Sequence, residues 1–370
     1  MHRPRVLVAM SGGVDSSVAA LRLVRRGFDV VGVTLHLWDY PDDGEKGRCC
    51  APEDQHDARR VADHLGIPHF TFDRRELFAS TVVQPFVDAY LEGKTPSPCV
   101  ACNRTVKMRE LLGLAGRLGA DKVATGHYAR IVEVPGRTEL HRGRDLGKDQ
   151  SYFLHVLTPD DLRRVELPLG DATKEEVRAE AVAADLPGAK KGESQELCFV
   201  SSGRYDAFVE ARADGRLRPG PIVDDSGKVV GSHDGVHRFT VGQRKGLGVA
   251  LGKPAFVVGI DHASSTVRLG DEGELASGGA LLADDGRFDP DVVFPREATI
   301  KVRARHAPQP GVLTRDPSGR LVVRFHEPVR AVAPGQIAVA YDGDRVLGGA
   351  TIVSAMKIVP AGQVASVEAP

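Results

Sequence analysis

The sequence contains no hydrophobic run long enough to cross a membrane, and its first residues lack the apolar core of a secretory signal peptide. Its 49 basic and 50 acidic residues nearly cancel, so the net charge of −1 does not indicate a protein that binds nucleic acid over its whole surface. We therefore expect a cytoplasmic protein without a membrane segment, in which any contact with nucleic acid comes from local patches.

Cysteine is scarce, and the odd count of five in a chain without export signals argues for reactive or ligand thiols rather than structural disulfides. Cys99 and Cys102 form a Cys-x-x-Cys motif, which is typical of redox disulfides, zinc sites and iron–sulfur clusters. Zinc is the weakest interpretation, because no second motif of this kind completes a tetrahedral site. Cys198 stands alone in a short apolar run, the usual setting of a buried small side chain. Cys49 and Cys50 match no role that we can assign.

An irregular loop precedes Cys102, and Pro96 and Pro98 restrict its backbone. The helix predicted after this loop runs to about Leu118. Because the start of a helix stabilises a thiolate, we expect Cys102 to have a lowered pKa and a reactive thiol.

A chain of 370 residues is long enough for two or three domains. From residue 5 to about residue 130, short β-branched runs alternate with longer amphipathic runs, which predicts an α/β fold with a doubly wound parallel sheet. The predicted strands are Val6–Met10, Val30–Leu37, His69–Asp73 and Lys122–Thr125. Ligands bind at the carboxyl ends of such strands, so Leu35, Gly126 and His127 should meet in one crevice. We expect His127 to donate to a phosphate or a base, or to cap the strand end.

The loop between the first strand and the first helix has the features of a phosphate site. It reads Ser11-Gly12-Gly13-Val14-Asp15-Ser16-Ser17. Its two glycines allow a sharp turn and a close approach of the backbone, and a helix start presents N–H groups to an anion. A Walker A loop would end in Gly-Lys-Ser/Thr, whereas here no lysine lies within reach in the sequence. The alternative is a serine-rich turn with an ordinary Asp/Ser N-cap.

Two later segments are polar. Lys148, Asp149 and Gln150 offer a charge, an acceptor and an amide, which suits a base and phosphate reader or equally a solvated turn. Thr173 and Glu176 form a capping box that opens a helix to about residue 185, and we expect this helix to be scaffold.

The last hundred residues predict an all-β domain, with turn signals between alternating segments. From Ile300 to His306 the alternation puts Lys301, Arg303 and Arg305 on one face of a strand. Such a basic stripe suits phosphate contact, and a solvated face is the alternative. We predict three domains, at residues 1–202, 203–275 and 276–370.

The glycine loop closely resembles the PP-loop of the N-type ATP pyrophosphatases, which cut ATP between the α and β phosphates. Further motifs follow it along the chain. They are Cys102-Asn103, Gly126-His127-Tyr128, Lys148–Phe153, Ser194–Cys198, Thr240–Gly248, Ala333–Gln336 and Leu347–Gly349. Together they closely resemble the bacterial tRNA-uridine 2-sulfurtransferases over nearly the full length of the chain.

The resemblance implies a PP-loop ATPase domain, a small central domain that contacts tRNA and a β-barrel-like domain at the carboxyl terminus. It implies ATP-dependent 2-thiolation of the wobble uridine in tRNAs for lysine, glutamate and glutamine. The enzyme would adenylate the C2 oxygen, with Mg²⁺ near Asp15, release pyrophosphate into the loop, and let sulfur displace AMP. The implied partners are tRNA and a persulfide donor such as a cysteine desulfurase or a sulfur relay protein, and we expect a monomer.

The resemblance also implies roles for individual residues. The implied ATP contacts are Ala9, Met10, Ser11, Gly12, Gly13, Val14, Asp15, Ser16, Leu35 and Gly126. The implied tRNA contacts are His127, Lys148, Asp149, Gln150, Arg303 and Gln336, with Ser97, Pro98 and Cys99 facing a target base flipped from its stack.

By the same resemblance, Cys198 holds sulfur as a persulfide, and Cys102 releases it and closes a disulfide with Cys198. Many family members have aspartate where this chain has Cys99. Cys99, Cys102 and Cys198 are therefore the candidate ligands of a [4Fe–4S] cluster that would carry hydrosulfide instead. Counting ligands does not separate the two routes.

Two other functions remain open at this point. A different PP-loop ligase, such as an amidating synthetase, would need the loop but neither Cys102 nor Cys198. A non-catalytic RNA-binding module would not need the intact glycine loop.

Overall fold

The computed structural model describes residues 3–39, 52–192, 197–200, 204–250 and 252–358. Cys49, Cys50 and part of the Ser194–Cys198 motif lie outside these residues. The chain divides into two compact units. The first unit consists of Met1–Pro85, Pro98–Tyr205 and Asp344–Val346. The second unit consists of Phe86–Ser97, Asp206–Gly343 and Leu347–Pro370. The division into three domains stays a prediction.

A five-stranded parallel sheet forms the centre of the first unit. The strands of this unit are β1 Arg5–Ala9, β2 Asp29–His36, β3 His69–Asp73, β4 Lys122–Ala124, β5 Ala129–Val134, β6 Arg137–Arg142 and β7 Val165–Glu166. The sheet order is β3-β2-β1-β4-β7, and every pairing in it is parallel. The predicted doubly wound sheet is confirmed, and the four predicted strands agree to within one residue at each end. The two-residue β7 was missed because it is too short to produce a periodic pattern.

The described residues contain ten α-helices. They are α1 Val14–Arg25, α2 Pro52–Leu65, α3 Arg75–Phe78, α4 Gln84–Leu91, α5 Pro98–Cys102, α6 Met108–Arg117, α7 Ser151–Leu154, α8 Pro159–Arg163, α9 Lys174–Ala183 and α10 Tyr205–Glu210. Two π-helical segments, Ala79–Val83 and Asn103–Lys107, join α3 to α4 and α5 to α6. No helix in this part of the chain is both long and apolar enough to span a lipid bilayer.

The core of the first unit lies between the sheet and the helices that cover it. Val6 and Val8 of β1 and Val18 and Leu23 of α1 are fully buried in one cluster. The interior residues of β1 and β2 are buried throughout rather than alternately, as expected for parallel strands covered on both faces. This packing holds β1 and α1, and therefore the loop between them, in a fixed position.

The second unit is all-β apart from α10, most of α4 and short 3₁₀ turns in its described part. Its strands are β8 Gly220–Val223, β9 Val229–His233, β10 Phe256–Asp261, β11 Thr266–Gly270, β12 Ala276–Leu282, β13 Arg287–Phe288, β14 Arg296–Lys301, β15 Gln309–Arg315, β16 Leu321–Arg330, β17 Ile337–Asp342 and most of β18 Arg345–Met356. β10-β11-β8-β9 form one sheet. The strands β12-β16-β15-β14-β17-β18 form a barrel that closes through pairing of β18 with β12, which leaves no free edge. The predicted carboxyl-terminal barrel is confirmed.

The predicted basic stripe on a strand is wrong. β14 ends at Lys301, and Arg303 and Arg305 lie in the bend and turn that follow. Ile300 and Val302 are buried, but the alternating geometry does not continue beyond the strand end. Arg303 instead donates from its guanidinium to the carbonyl of Val241, at 2.9 Å.

Candidate nucleotide and thiol site

The order of the parallel sheet brings two loops together at its carboxyl edge. From β1 the chain adds β2 and β3 on one side of the sheet, and it later adds β4 and β7 on the other side. Parallel sheets bind ligands where the strand order reverses in this way, which here is between β1 and β4. The loop after β1 ends at Gly13, the N-cap of α1. A Cβ on Gly126, just after β4, would lie 2.8 Å from the backbone nitrogen of Ser16. Gly126 therefore permits contact between the second loop and the start of α1.

Position 12 requires glycine for two reasons, its backbone conformation and the lack of space for a Cβ. Its φ is +74°, in the left-handed region that is costly for other residues. A Cβ at this position would lie 2.2 Å from the carbonyl oxygen of Asp54, on α2. The loop backbone is thus pressed against a neighbouring helix.

The serine hydroxyls brace the loop from within. The Ser16 hydroxyl donates to the carbonyl of Gly13 at 2.9 Å and accepts from the backbone N–H of Ser11 at 3.1 Å. The Ser17 hydroxyl donates to the same Gly13 carbonyl at 3.0 Å. Gly13 has no side chain to cap the first turn of α1, so the N–H groups there suit an anion.

Asp15 is held by two donors that the sequence pattern did not reveal. The Lys174 ammonium lies 2.6 Å and 2.8 Å from the two carboxylate oxygens of Asp15, and the Tyr128 hydroxyl donates to one of them at 2.7 Å. Lys174 is the first residue of α9, and Thr173 and Glu176 form the predicted capping box before it. The prediction that this helix is only scaffold is therefore incomplete, because α9 places a cation beside the loop.

A second lysine contacts α2 near Gly12. The Lys191 ammonium forms an ion pair with the buried carboxylate of Asp54 and lies 3.1 Å from Asp57. Although burial opposes its charge, the hydrogen bonds to these carboxylates raise the pKa of Lys191. Lys191 lies seven residues before Cys198 in the chain.

Leu35 is buried at the carboxyl end of β2, one residue before its last residue. The neighbouring Thr34 donates from its hydroxyl to the carbonyl of Met10 at 2.7 Å. The predicted nucleotide contacts Met10 and Leu35 are thus on adjoining strand ends, and their contact with ATP stays a prediction.

The surroundings of His127 favour its neutral imidazole form. Its Nδ1 lies 2.7 Å from the Thr125 hydroxyl. Burial, assisted by the positive charge of Lys107, lowers the pKa of His127 to about 3. The lowered pKa argues against a positive charge on this side chain at neutral pH, and its contact with tRNA stays a prediction.

We expect His127 to make stability fall with acidification. Its pKa is about 3 when folded and 6.5 in the reference state, so the unfolded chain binds more protons between these values. The stabilisation is complete above about pH 6.5 and is lost as the pH falls toward 3. Thermal unfolding should show a flatter decline between pH 6.5 and 4.5 for His127→Gln than for the unchanged protein. His64→Gln is the control, because His64 is exposed. Equal slopes for the two variants would contradict the assignment of the lowered pKa to His127.

The predicted tRNA contacts at residues 148–150 also organise their own turn. Asp149 accepts from the backbone N–H groups of Gly143 and Ser151, at 3.1 Å and 3.0 Å. The Gln150 side-chain oxygen accepts from the backbone N–H of Tyr128 at 3.0 Å, which ties this turn to the segment after β4. Their contact with tRNA stays a prediction, as does that of Lys148.

The prediction of a lowered Cys102 pKa is wrong. The helix begins at Pro98 rather than after Cys102, so Cys102 is the last residue of α5 and not the residue before a helix start. The residue is 5% exposed, and this burial raises the pKa of its thiol, although the charge of Lys107 acts in the opposite direction. Cys99, on the first turn of α5, is exposed.

Cys198 is half-buried in a turn that an aromatic cluster anchors. The ring of Phe199 packs edge-on against Phe78, with centroids 5.7 Å apart, and Trp38 lies 6.3 Å from each ring. Phe78 ends α3, and three residues later the hydroxyl of Thr81 accepts from Thr105 at 3.3 Å.

The segment of Cys198 therefore contacts the helical stretch at Phe78, and the segment of Cys102 contacts it at Thr81, about one helical turn further on. Phe199 follows Cys198 directly, and Thr105 lies three residues after Cys102. Trp38 comes two residues after the end of β2, so the cluster lies at the carboxyl edge of the sheet, the edge that carries the glycine loop.

The three cysteines do not form a ligand set. Among the residues that the structure describes, no group of three or more His, Cys, Asp or Glu side chains is arranged to hold a metal ion. Cys99, Cys102 and Cys198 are not joined by disulfide bonds. The arrangement does not fit a [4Fe–4S] cluster, and we derive no step through one.

Two predicted tRNA contacts, Arg303 and Gln336, belong to the second unit, as does Ser97. The Gln336 amide donates to the carbonyls of Thr95 and Pro96, at 2.9 Å and 3.3 Å. Gln336 therefore holds the loop that leads to Ser97, and its contact with tRNA stays a prediction.

Comparisons with known proteins identify the family. The family model described as a tRNA methyl transferase HUP domain matches residues 4–202. Models described as a tRNA methyl transferase PRC-barrel domain and an aminomethyltransferase beta-barrel domain match residues 207–271 and 289–352. A tRNA-specific 2-thiouridylase, MnmA of Sorangium cellulosum (strain So ce56), is 67% identical over 359 residues, which cover 95% of this chain and 93% of the relative. This chain belongs to the tRNA-specific 2-thiouridylase family.

A second tRNA-specific 2-thiouridylase, MnmA of Moorella thermoacetica (strain ATCC 39073 / JCM 9320), is 47% identical and covers 95% of this chain and 100% of the relative. Among solved structures, the chain is similar to a 4-thiouridine synthetase in complex with RNA and ATP. That similarity is weak, with 16% identity, a TM-score of 0.35 and coverage of 58% of this chain and 51% of that chain. Membership of the 2-thiouridylase family therefore depends on the relatives that match along almost the whole chain.

Proposed function

We propose that this protein is a transferase that uses ATP to replace the C2 oxygen of the wobble uridine by sulfur in tRNAs for lysine, glutamate and glutamine. One observation carries the proposal, which is that a single unit contains a PP-loop and two thiol segments packed on the same helical stretch. The relatives named as tRNA-specific 2-thiouridylases support the choice of substrate.

The first step is adenylation of the uridine. The C2 oxygen is a poor leaving group, so it first attacks the α-phosphorus of ATP while N3 of the ring loses its proton to solvent. Pyrophosphate departs as the bond between the α-phosphorus and the oxygen that bridges it to the β-phosphate breaks. The backbone of Gly12 and Gly13 and the first turn of α1 are suited to receive this anion. The described residues supply no metal site of their own, so Mg²⁺ would arrive on the ATP phosphates, where it neutralises charge.

The second step brings in sulfur. Cys198 carries a persulfide, and the Cys102 sulfur attacks the inner sulfur of that persulfide after losing its proton to solvent. The persulfide bond breaks, hydrosulfide leaves, and a Cys102–Cys198 disulfide forms. Hydrosulfide adds to C2, AMP departs, and the remaining proton ends on the uridine ring. A thiol reductant then returns two electrons to the disulfide.

Burial of the Cys102 thiol suits this order of events. Because burial raises the pKa of Cys102, its protonated and less nucleophilic form is favoured in the absence of tRNA. The thiol would attack only when tRNA binding changes its surroundings, which limits wasteful discharge of the persulfide. The sulfur itself would come from a cysteine desulfurase or a sulfur relay protein, in the cytoplasm, and the protein would act as a monomer.

The test of this function is AMP formation that depends on tRNA. Purified protein, ATP, unmodified tRNA and a persulfide donor should yield AMP, pyrophosphate and 2-thiouridine at the wobble position, detected by mass spectrometry of the digested tRNA. AMP formation that needs no tRNA would instead favour a PP-loop ligase for a small substrate. Absence of any AMP would favour a non-catalytic RNA-binding module.

A further inference from the structure

Asn103 is the only asparagine among the 370 residues of the chain, and it directly follows Cys102. It is 3% exposed, although asparagine usually lies at the surface. Among the residues that the structure describes, its side-chain oxygen has no hydrogen-bond partner. A buried, unpaired acceptor costs free energy that an apolar side chain of similar size would avoid. The amide at this position therefore needs an explanation other than stability.

The Asn103 amide links the Cys102 segment to α7. Its nitrogen donates to the carbonyl of Phe153 at 3.4 Å, which is longer than usual for a hydrogen bond of this kind. Because a carbonyl can only accept, the amide nitrogen faces Phe153 and the oxygen faces away. The backbone N–H of Phe153 in turn donates to the carbonyl of Gln150 at 3.0 Å. Two hydrogen bonds thus connect the residue after Cys102 with the turn at residues 148–150.

The short helix α7 is held firmly between these two places. Three of its four residues are at most 1% exposed. Asp149 accepts from the backbone N–H and from the hydroxyl of Ser151, each at 3.0 Å. A helix that is packed and tied in this way moves together with the turn before it. A ligand that displaces the turn would therefore also displace the carbonyl that Asn103 contacts.

The backbone after Cys102 has an irregular helical form. Asn103 is the first residue of the π-helical segment Asn103–Lys107, whose turns hold more residues than those of an α-helix. Such segments are rare and often occur at functional sites. Conversion of this turn to α-helical geometry would rotate Cys102 by about 100° relative to α6, because one residue of an α-helix corresponds to that angle. The segment thus offers a way to move the thiol without unfolding a helix.

We propose that Asn103 is a positioning residue for Cys102. Its contact with Phe153 keeps the Cys102 thiol buried, and tRNA binding at residues 148–150 breaks that contact. This inference rests on the proposed function. Because the hydrogen bond is long and leaves the amide oxygen unpaired, little interaction energy is lost when it opens. The thiol then becomes accessible only with the substrate in place, which protects the persulfide from discharge without tRNA.

The test measures alkylation of Cys102 by N-ethylmaleimide, located by mass spectrometry of the digested protein. In the unchanged protein, an unmodified transcript of a glutamate tRNA should raise the rate about tenfold. Asn103→Ala removes the link to α7, so we expect a rate about tenfold higher without tRNA, and at most about a twofold further rise with it. Asn103→Asp keeps the size of the side chain but cannot donate to Phe153 when ionised, so it should behave alike. Asn103→Gln keeps an amide and should recover part of the dependence on tRNA.

The pH profile of alkylation distinguishes a positioning role from a loosened fold. Burial raises the pKa of the Cys102 thiol, Lys107 opposes this rise, and Cys99 adds to it. Exposure of the thiol in Asn103→Ala should lower the midpoint of the profile by about one pH unit, which corresponds to the tenfold higher rate below it. Val106→Ala is the control, since Val106 is fully buried in the same π-helical segment. This variant should lower the melting temperature and leave the midpoint and the effect of tRNA unchanged.

Alkylation of Asn103→Ala and Asn103→Asp at the rate of the unchanged protein would overturn the inference, and so would an equal rise in Val106→Ala. Bound tRNA that leaves the rate in the unchanged protein as it was would have the same meaning. Should Asn103→Ala fail to fold, Asn103→Asp and Asn103→Gln decide by the same criteria. Alkylation needs neither ATP nor a persulfide donor, so it tests Asn103 separately from thiolation. Conversely, tRNA-dependent AMP formation by the unchanged protein tests the proposed function whatever the result for Asn103.

Discussion

Replacing either Cys102 or Cys198 by serine will lower 2-thiouridine formation by about 1,000-fold or more, while tRNA-dependent AMP formation stays within a few-fold of the unchanged protein. Serine fits the space but forms no persulfide and no disulfide, so only the second step fails. Mass spectrometry of digested tRNA and a chromatographic assay for AMP measure the two steps separately.

Cys99→Ser is the matched control, because Cys99 lies on the same short helix as Cys102 and is exposed. On the persulfide route, this variant should keep thiolation within about tenfold, since neither proposed sulfur carrier is changed. If the three cysteines instead held an iron–sulfur cluster, Cys99→Ser would lose thiolation to the same extent as Cys102→Ser and Cys198→Ser. Equal loss in all three variants, with iron in protein purified without oxygen, would refute the persulfide route.

Gly12→Ala will lower AMP formation by about 100-fold or more. The added Cβ would lie 2.2 Å from the Asp54 carbonyl oxygen, so either the loop or α2 must move. A shift of about 1 Å in a loop that positions phosphate is enough for a loss of this size. The rate of tRNA-dependent AMP release measures the effect, with circular dichroism to verify the fold.

Gly27→Ala provides the comparison on the other end of the same helix. Gly27 also has a positive φ, +83°, but nothing lies within 4 Å of the Cβ it would gain. Both substitutions impose a similar backbone strain of about 1 kcal/mol, so their difference reports the contact with Asp54. Similar AMP rates in the two variants would mean that the close approach at Gly12 has no role in catalysis.

Two wrong predictions had the same cause. The expected pKa of Cys102 and the expected basic stripe each assumed where a helix or a strand ends. The helix starts four residues earlier than Cys102, at Pro98, and β14 stops before Arg303. Element ends depend on packing and capping contacts with distant residues, so local pattern locates them least well.

Local sequence determined the parts of this protein whose causes are local. The strand, the two glycines and the following helix predict a phosphate loop, because turn geometry and helix starts depend on neighbouring residues. The capping box at Thr173 and Glu176 likewise appears in the structure as predicted. Runs of β-branched residues predicted the strands of the parallel sheet, because such runs are also a property of neighbouring residues.

Tertiary structure alone decided which charged side chain contacts that loop and where the cysteine segments pack. Lys174 reaches Asp15 across 159 residues of chain, and Phe199 brings the Cys198 segment onto Phe78. Burial, which raises the pKa of Cys102 and lowers the pKa of His127, also comes only from packing. Such contacts join residues far apart in the chain, and no local pattern of residues specifies which distant side chain will fill a given place.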